Sequence, residues 1–196
     1  SGWAIWGYWG GLNDITRYPE STTGIASSSR QFGGIGGSSY IDLKASTKRA
    51  GSRLSYAATN RSYENRLMFT HNTGVLKNGW SFSASLSSRW ANGGEGYVEG
   101  TPYSNVAYFL SVGKKLNEKH ELNLAVFGSP SSRGRRGIAT QEVYDLKGIK
   151  YNSYWGLQND EIRNSRIKEV SEPILMLNHY WDLNETTSIN TNVSYQ

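Results

Sequence analysis

The residues best suited to chemistry in this chain of 196 residues are arginines and aromatics gathered after Val126. Arg133, Arg135 and Arg136 lie in one stretch with Tyr144, Tyr151, Tyr154 and Trp155, and Gln141, Glu142, Gln158 and Arg166 are interspersed. Guanidinium forks match carboxylate or phosphate. Tyrosine and tryptophan faces suit sugars or hydrophobic ligands. Trp90 and Tyr97, beside an upstream Gly-rich loop, complete a candidate ligand-binding set. Bond-making chemistry is harder to find. There is no cysteine, hence no thiolate nucleophile, disulfide or cysteine-ligated metal. His71, His120 and His179 are far apart in sequence, and nothing resembles HExxH. Glu95 and Glu99 share a loop and Asp160 adjoins Glu161, but neither spacing sets two carboxyl groups across a substrate. No Gly-x-Ser-x-Gly elbow occurs, and the glycine cluster after Phe32 lacks both GxxxxGK[ST] and GxGxxG. No catalytic site, metal or cofactor is expected, and the chain is not expected to be an enzyme.

Composition narrows the class. Hydrophobic residues are only 37%, yet aromatics reach 13%, with 7 Trp and 13 Tyr beside 4 Pro, which disfavours disorder. The net charge of +5 is spread along the chain apart from the arginine cluster, so nucleic acid is not an expected partner. Apolar runs such as Ile174 to Leu177 are too short for a membrane-spanning helix. The opening Ser1-Gly-Trp-Ala-Ile-Trp has no basic region of a signal peptide, which implies a cytosolic chain, a processed one, or a piece of something larger.

The elements that must position those side chains are strands. From Trp80 to Trp90 the even positions read Trp, Phe, Ala, Leu, Ser, Trp and the odd ones Ser, Ser, Ser, Ser, Arg. A strand puts the two sets on opposite faces. Similar alternation runs through Leu54–Thr59, Val106–Gly113, Leu122–Phe127 and Ile189–Gln196, and strands are also expected at Arg66–Thr73 and Ile174–Trp181. No segment of ten or more residues carries a helical stripe, so the expected fold is all-β. Tight turns at Val75–Gly79, Leu116–His120 and Asp182–Thr186 alternate with longer links at Asn60–Asn65, Ala91–Asn105 and about Gly128–Val170. Short turns on one rim and long loops on the other describe an antiparallel up-and-down sheet of the outer-membrane barrel kind. Trp80 to Trp90 extends roughly 34 Å at about 3.4 Å per residue. Tilted by about 40°, it covers roughly the 25 Å apolar band of such barrels, with a tryptophan at each interface. A soluble β-sandwich, with strands of about five or six residues, is the competing architecture.

The segment Phe32-Gly-Gly-Ile-Gly-Gly-Ser-Ser-Tyr-Ile-Asp-Leu resembles the end of the plug domain of TonB-dependent outer-membrane receptors. The texts Arg53-Leu-Ser-Tyr-Ala-Ala-Thr-Asn-Arg-Ser-Tyr-Glu-Asn-Arg-Leu-Met, Trp90-Ala-Asn-Gly-Gly-Glu-Gly-Tyr-Val-Glu-Gly-Thr and Tyr108-Phe-Leu-Ser-Val-Gly-Lys-Lys-Leu-Asn resemble barrel hairpins of such receptors from the Bacteroidetes. The resemblance implies the C-terminal part of a plug over residues 1–50 and the N-terminal part of a transmembrane β-barrel over residues 51–196. About seven strands cannot close the family's barrel of about 22, so the expectation is an incomplete barrel, a fragment of a longer receptor. The resemblance further implies location in the bacterial outer membrane, contact with its lipid, and uptake of a siderophore, cobalamin, glycan or peptide. Its implied partners are the TonB energy-transducing complex, reached through a segment absent here, and, as a further candidate, a surface lipoprotein lid. A complete barrel of about eight strands is the structural alternative. A secreted or surface β-rich carbohydrate-binding protein without transport is the functional alternative.

Overall fold

The computed structural model describes residues 9–16, 19–25, 35–60, 62–91 and 96–196. A short helix, α1 (Leu12–Ile15), precedes a hairpin of β1 (Glu20–Thr23) and β2 (Gly37–Tyr40), and a 3-10 turn follows at Ala45–Thr47. Then come β3 (Gly51–Ala58), β4 (Asn65–Val75), β5 (Trp80–Trp90), β6 (Tyr103–Lys115), β7 (His120–Gly128) and β8 (Ser131–Gly134). Helix α2 (Gln141–Lys147) leads to β9 (Trp155–Gln158), β10 (Glu161–Asn164), β11 (Ile167–Val170), β12 (Ile174–Asn184) and β13 (Thr187–Tyr195). The all-β expectation holds. Each of the expected strands is present, and β5 has the bounds that its alternation marks.

The main sheet is antiparallel, in the order β13-β12-β7-β6-β5-β4-β3, and does not close on itself. It is larger than the seven-strand reading, because β8 pairs with β6 and β11 pairs with β8. These two short strands lie in the link expected between Gly128 and Val170. Proline explains their separation from β7 and β12. Pro130 and Pro173 sit in the two breaks, between Gly128 and Ser131 and between Val170 and Ile174. A proline removes a ladder donor, so the strands stop and resume.

The tight turns share one device. Asn78, Asn117 and Asn184 each accept, through Oδ1, a backbone N–H two residues on, from Trp80, Lys119 and Thr186 at 3.3, 2.9 and 3.0 Å. This side-chain mimic of a backbone turn is a local property of asparagine. The last turn is shorter than expected, since β12 and β13 extend to Asn184 and from Thr187.

The two faces of the sheet have opposite chemistry. One cross-strand row reads Phe82, Val112, Leu124, Leu177, Val193. The neighbouring row on the other face reads Asn72, Ser83, Ser111, Ala125, Met176, Ser194. The apolar face is bare: Leu86 is 57% exposed, and Leu54, Phe69, Leu110, Leu177 and Val193 are exposed with it. The serine face is covered from β4 to β7 and at Asn178 of β12, with Ser83 at 0%, Ser81 and Ser87 at 1% and Asn123 at 0% exposure.

The cover is the N-terminal segment. Leu12 and Ile15 join Phe109, Phe127 and Ile174 in the one apolar cluster on that face, with Trp9, Ile41, Leu43 and Met176 against it. Gly11 presses so close that a Cβ there would overlap the Tyr108 carbonyl oxygen. Lower on the face, Ser111 Oγ donates to the Leu43 carbonyl at 2.8 Å and the Ala45 N–H donates to Asn123 Oδ1 at 3.2 Å. The chain then enters β3 at the tight-turn rim, where Gly51 pairs with Asn72. Of the expected plug stretch Phe32–Lys44, residues 32–34 lie outside the described residues, as do Trp3, Trp6 and Tyr8.

Candidate functional site

At the rim opposite the tight turns, three links converge on a cleft of ≈ 720 Å³. Asn60 and Ser62 come from the β3–β4 link, Tyr97, Val98, Thr101 and Pro102 from the β5–β6 link, and Arg133 to Arg136 from the end of β8. The structure therefore brings together four of the candidate binding residues, Tyr97, Arg133, Arg135 and Arg136. The register gives Arg133 its direction. It stands opposite Tyr103, with Ser131 opposite Asn105, and Asn105 belongs to the covered face.

Buried asparagines hold this rim in place. Asn152, 1% exposed, donates from Nδ2 to the carbonyls of Glu99 and Arg135 at 3.0 and 3.1 Å. Its Oδ1 accepts the N–H groups of Gly137 and Tyr154, both at 3.1 Å. Asn164 Nδ2 donates to the Gly100 and Arg135 carbonyls at 2.6 and 2.7 Å, and its Oδ1 accepts the Arg166 N–H at 2.7 Å. The Arg135 carbonyl thus receives two amide donors, while its own N–H donates to the Arg166 carbonyl at 2.9 Å. The backbone at Arg135 is fixed, yet the side chains of Arg133, Arg135 and Arg136 are exposed and make no hydrogen bond or ion pair among the described residues. Asn152 and Asn164 carry no sequence signal, because an asparagine in a polar loop reads as a turn residue.

The other candidates are placed elsewhere. Trp155 packs on Gly100, whose φ is +63° and whose Cβ, if present, would overlap the indole. It therefore helps join the β9–β10 hairpin to the β5–β6 link. Tyr154 lies under the Arg166 guanidinium at 4.7 Å, and the Tyr97 ring faces Lys150 Nζ at 5.4 Å. Tyr144 sits on α2, and Tyr151 follows that helix with its N–H on the Gly148 carbonyl at 3.2 Å. Trp90 belongs to the bare face, as its even position in β5 requires, and does not line the cleft.

Of the carboxylates considered for catalysis, Glu95 lies outside the described residues, and Asp160 and Glu161 are exposed at the tip of the β9–β10 hairpin. Asn159 and Asp160 both have positive φ there, 52° and 63°, as a two-residue hairpin turn requires. Among the described residues no group of three or more His, Asp or Glu side chains could hold a metal ion. The cleft presents guanidinium, hydroxyl and ring surfaces, and its described lining residues include no His, Asp or Glu.

No protein-family model matches the chain, and no curated protein or solved structure matches it. The candidate site is therefore argued from its own geometry.

Proposed function

We propose that the chain is part of a TonB-coupled outer-membrane receptor that imports a nutrient, with residues 51–196 forming one wall of a β-barrel and the N-terminal segment belonging to its plug. One observation carries this reading: the sheet is apolar where it is bare and serine- and asparagine-rich where it is covered. Water would favour the reverse arrangement, because buried polar groups need partners and exposed apolar area is costly. Lipid against the bare face removes the contradiction. Outer-membrane barrels alternate apolar-out and polar-in in this way.

Further features agree. At the tight-turn rim of the bare face, Trp80 lies under Lys114 Nζ at 4.9 Å, and His120 stacks with Trp181 at 5.2 Å. Aromatic rings with polar partners suit a membrane interface. At the sheet's margins, β3 and β13 each pair on one side only among the described residues. An open edge in hydrocarbon leaves backbone groups unsatisfied, so in the membrane both strands would pair with further strands of a closed barrel.

The test is accessibility to lipid. The full chain, reconstituted in bilayers, would carry a fluorophore on Leu86→Cys, Leu110→Cys or Leu177→Cys, and on Ala57→Cys as the opposite-face comparison. Lipid-borne nitroxide should quench the first three and spare the fourth. Equal quenching at all four positions, or a monodisperse protein without detergent, would remove the membrane reading and favour a soluble carbohydrate-binding β-protein.

A further inference from the structure

We infer that the rim cleft binds a small anionic molecule, one presenting carboxylate or phosphate groups beside a planar or apolar body. The inference deepens the receptor reading by naming a ligand class, and it rests on that reading in treating the bound anion as cargo and in placing lipid at the bare face.

Charge is the first ground. Arg133, Arg135 and Arg136 line the cleft, and among the described residues no Asp or Glu lines it with them. The backbone that carries them is held in place, because Asn152 and Asn164 both bind the carbonyl of Arg135. Guanidinium forks are the side chains that recognise carboxylate or phosphate geometrically.

Direction and size are the second ground. Arg133 shares its face with Asn105 and the buried serines, away from the apolar band. The charge thus looks toward the space over the covered face. Phosphates of surrounding lipid would meet the other face, so the geometry favours a dissolved ligand. The volume of ≈ 720 Å³ suits one small molecule. Tyr97, Val98 and Pro102 supply ring and apolar surface for its body.

The probe is benzene-1,3,5-tricarboxylate, titrated calorimetrically into the purified full chain in detergent and compared with the neutral tricarboxamide of the same shape. The tricarboxylate should bind saturably and at least about tenfold more tightly than the amide, with affinity falling as salt is raised. Arg133→Gln with Arg135→Gln should remove about tenfold or more of that affinity, Arg133→Lys should lose part of it because an ammonium keeps the charge without the fork, and Arg163→Gln, outside the cleft, should leave it unchanged. Equal binding of the two probes by the unaltered chain overturns the inference without any variant having to fold. Loss in Arg163→Gln equal to that in the double variant overturns it as well. So does displacement of the tricarboxylate by lipopolysaccharide that disappears in the double variant, because it assigns the arginines to lipid phosphate. None of these readouts involves membrane insertion or transport, so the receptor reading and the anion site can fail separately.

Discussion

The carboxylate of Asp14 on α1 is fully buried and bonded to Nη2 of Arg66 on β4, and Nη2 of Arg89 on β5 lies 4.0 Å from the same oxygen. One acid of the N-terminal segment is thus shared by arginines of two adjacent strands. Removing one partner of a buried pair is strongly destabilising, because the remaining charge stays behind without compensation. Asp14→Asn is expected to cost about 3 kcal/mol or more in the seating of residues 9–16 on the sheet. The measurement is the rate of limited proteolysis ahead of β3 together with the thermal midpoint. Pairing Asp14→Leu with Arg66→Met should recover much of the loss, since an apolar replacement of both partners is often neutral. A double variant as labile as Asp14→Asn would show that the ion pair does not account for the seating.

The two faces should respond differently to a charge. Leu86 is central in β5 and exposed on the bare face. If lipid covers that face, Leu86→Arg should cost roughly 2–4 kcal/mol in a folding titration from vesicles. The comparison belongs at Asn190, which pairs with Tyr180, lies on the polar face and is exposed. Ser85 would be a poor comparison. It is buried against Thr70 at 3.1 Å, and any large side chain there would collide. Costs at Leu86 and Asn190 that match within error would speak for water on both sides of the sheet.

The Asn152 and Asn164 amides should decide whether the arginine cluster keeps its shape. Substitution by alanine strands several buried backbone groups, each worth about 1–3 kcal/mol when left unpaired. Asn152→Ala and Asn164→Ala are each expected to loosen residues 135–166 without melting β4, β5 or β6. Hydrogen exchange should therefore rise at Gly137, Tyr154 and Arg166 and stay low in those strands. Exchange that rises throughout the sheet would mean that the loop and the sheet unfold as one unit.

Strands were legible in this sequence where one face is apolar and the other polar over many residues, and illegible elsewhere. Alternation in β5 spans Trp80 to Trp90, and the structure has the same bounds. The strands β8 and β11 have four residues each and mixed sequence, too short to display a period, and prolines mask their continuity with β7 and β12. Helix α2 is only seven residues long, too short to show a helical stripe, although the Gln141 and Asp145 pair, bonded at 2.8 Å, and Gly148, at φ +86°, are local signs that could have marked it. Part of the candidate site was readable because chain proximity sufficed: Arg133, Arg135 and Arg136 are near neighbours. Trp90 was assigned both to the apolar set and to ligand contact, and its even position in β5 puts it on the bare face, outside the cleft. The partnership of Asp14 with Arg66, 52 residues apart, had no local signature at all.

The orientation of the sheet can be checked through its rims. The N-terminal segment crosses the covered face and enters β3 at Gly51, on the rim that carries the Asn78, Asn117 and Asn184 turns. A plug delivered from the periplasm would enter the first strand from that side, and short turns belong to the periplasmic rim of such barrels. The opposite rim, with the cleft and the chain from Arg135 to Arg166, would then face the medium. An epitope inserted at Lys147-Gly148, where α2 ends in exposed backbone, should be detected on intact cells that display the protein. One inserted at Lys77-Asn78 should stay silent until the outer membrane is permeabilised. The choice of sites matters, since neither lies in a paired strand and neither insertion should disturb the sheet register. Detection at Lys77-Asn78 alone would invert the topology and place the arginine cleft in the periplasm, where it could not meet a ligand arriving from outside.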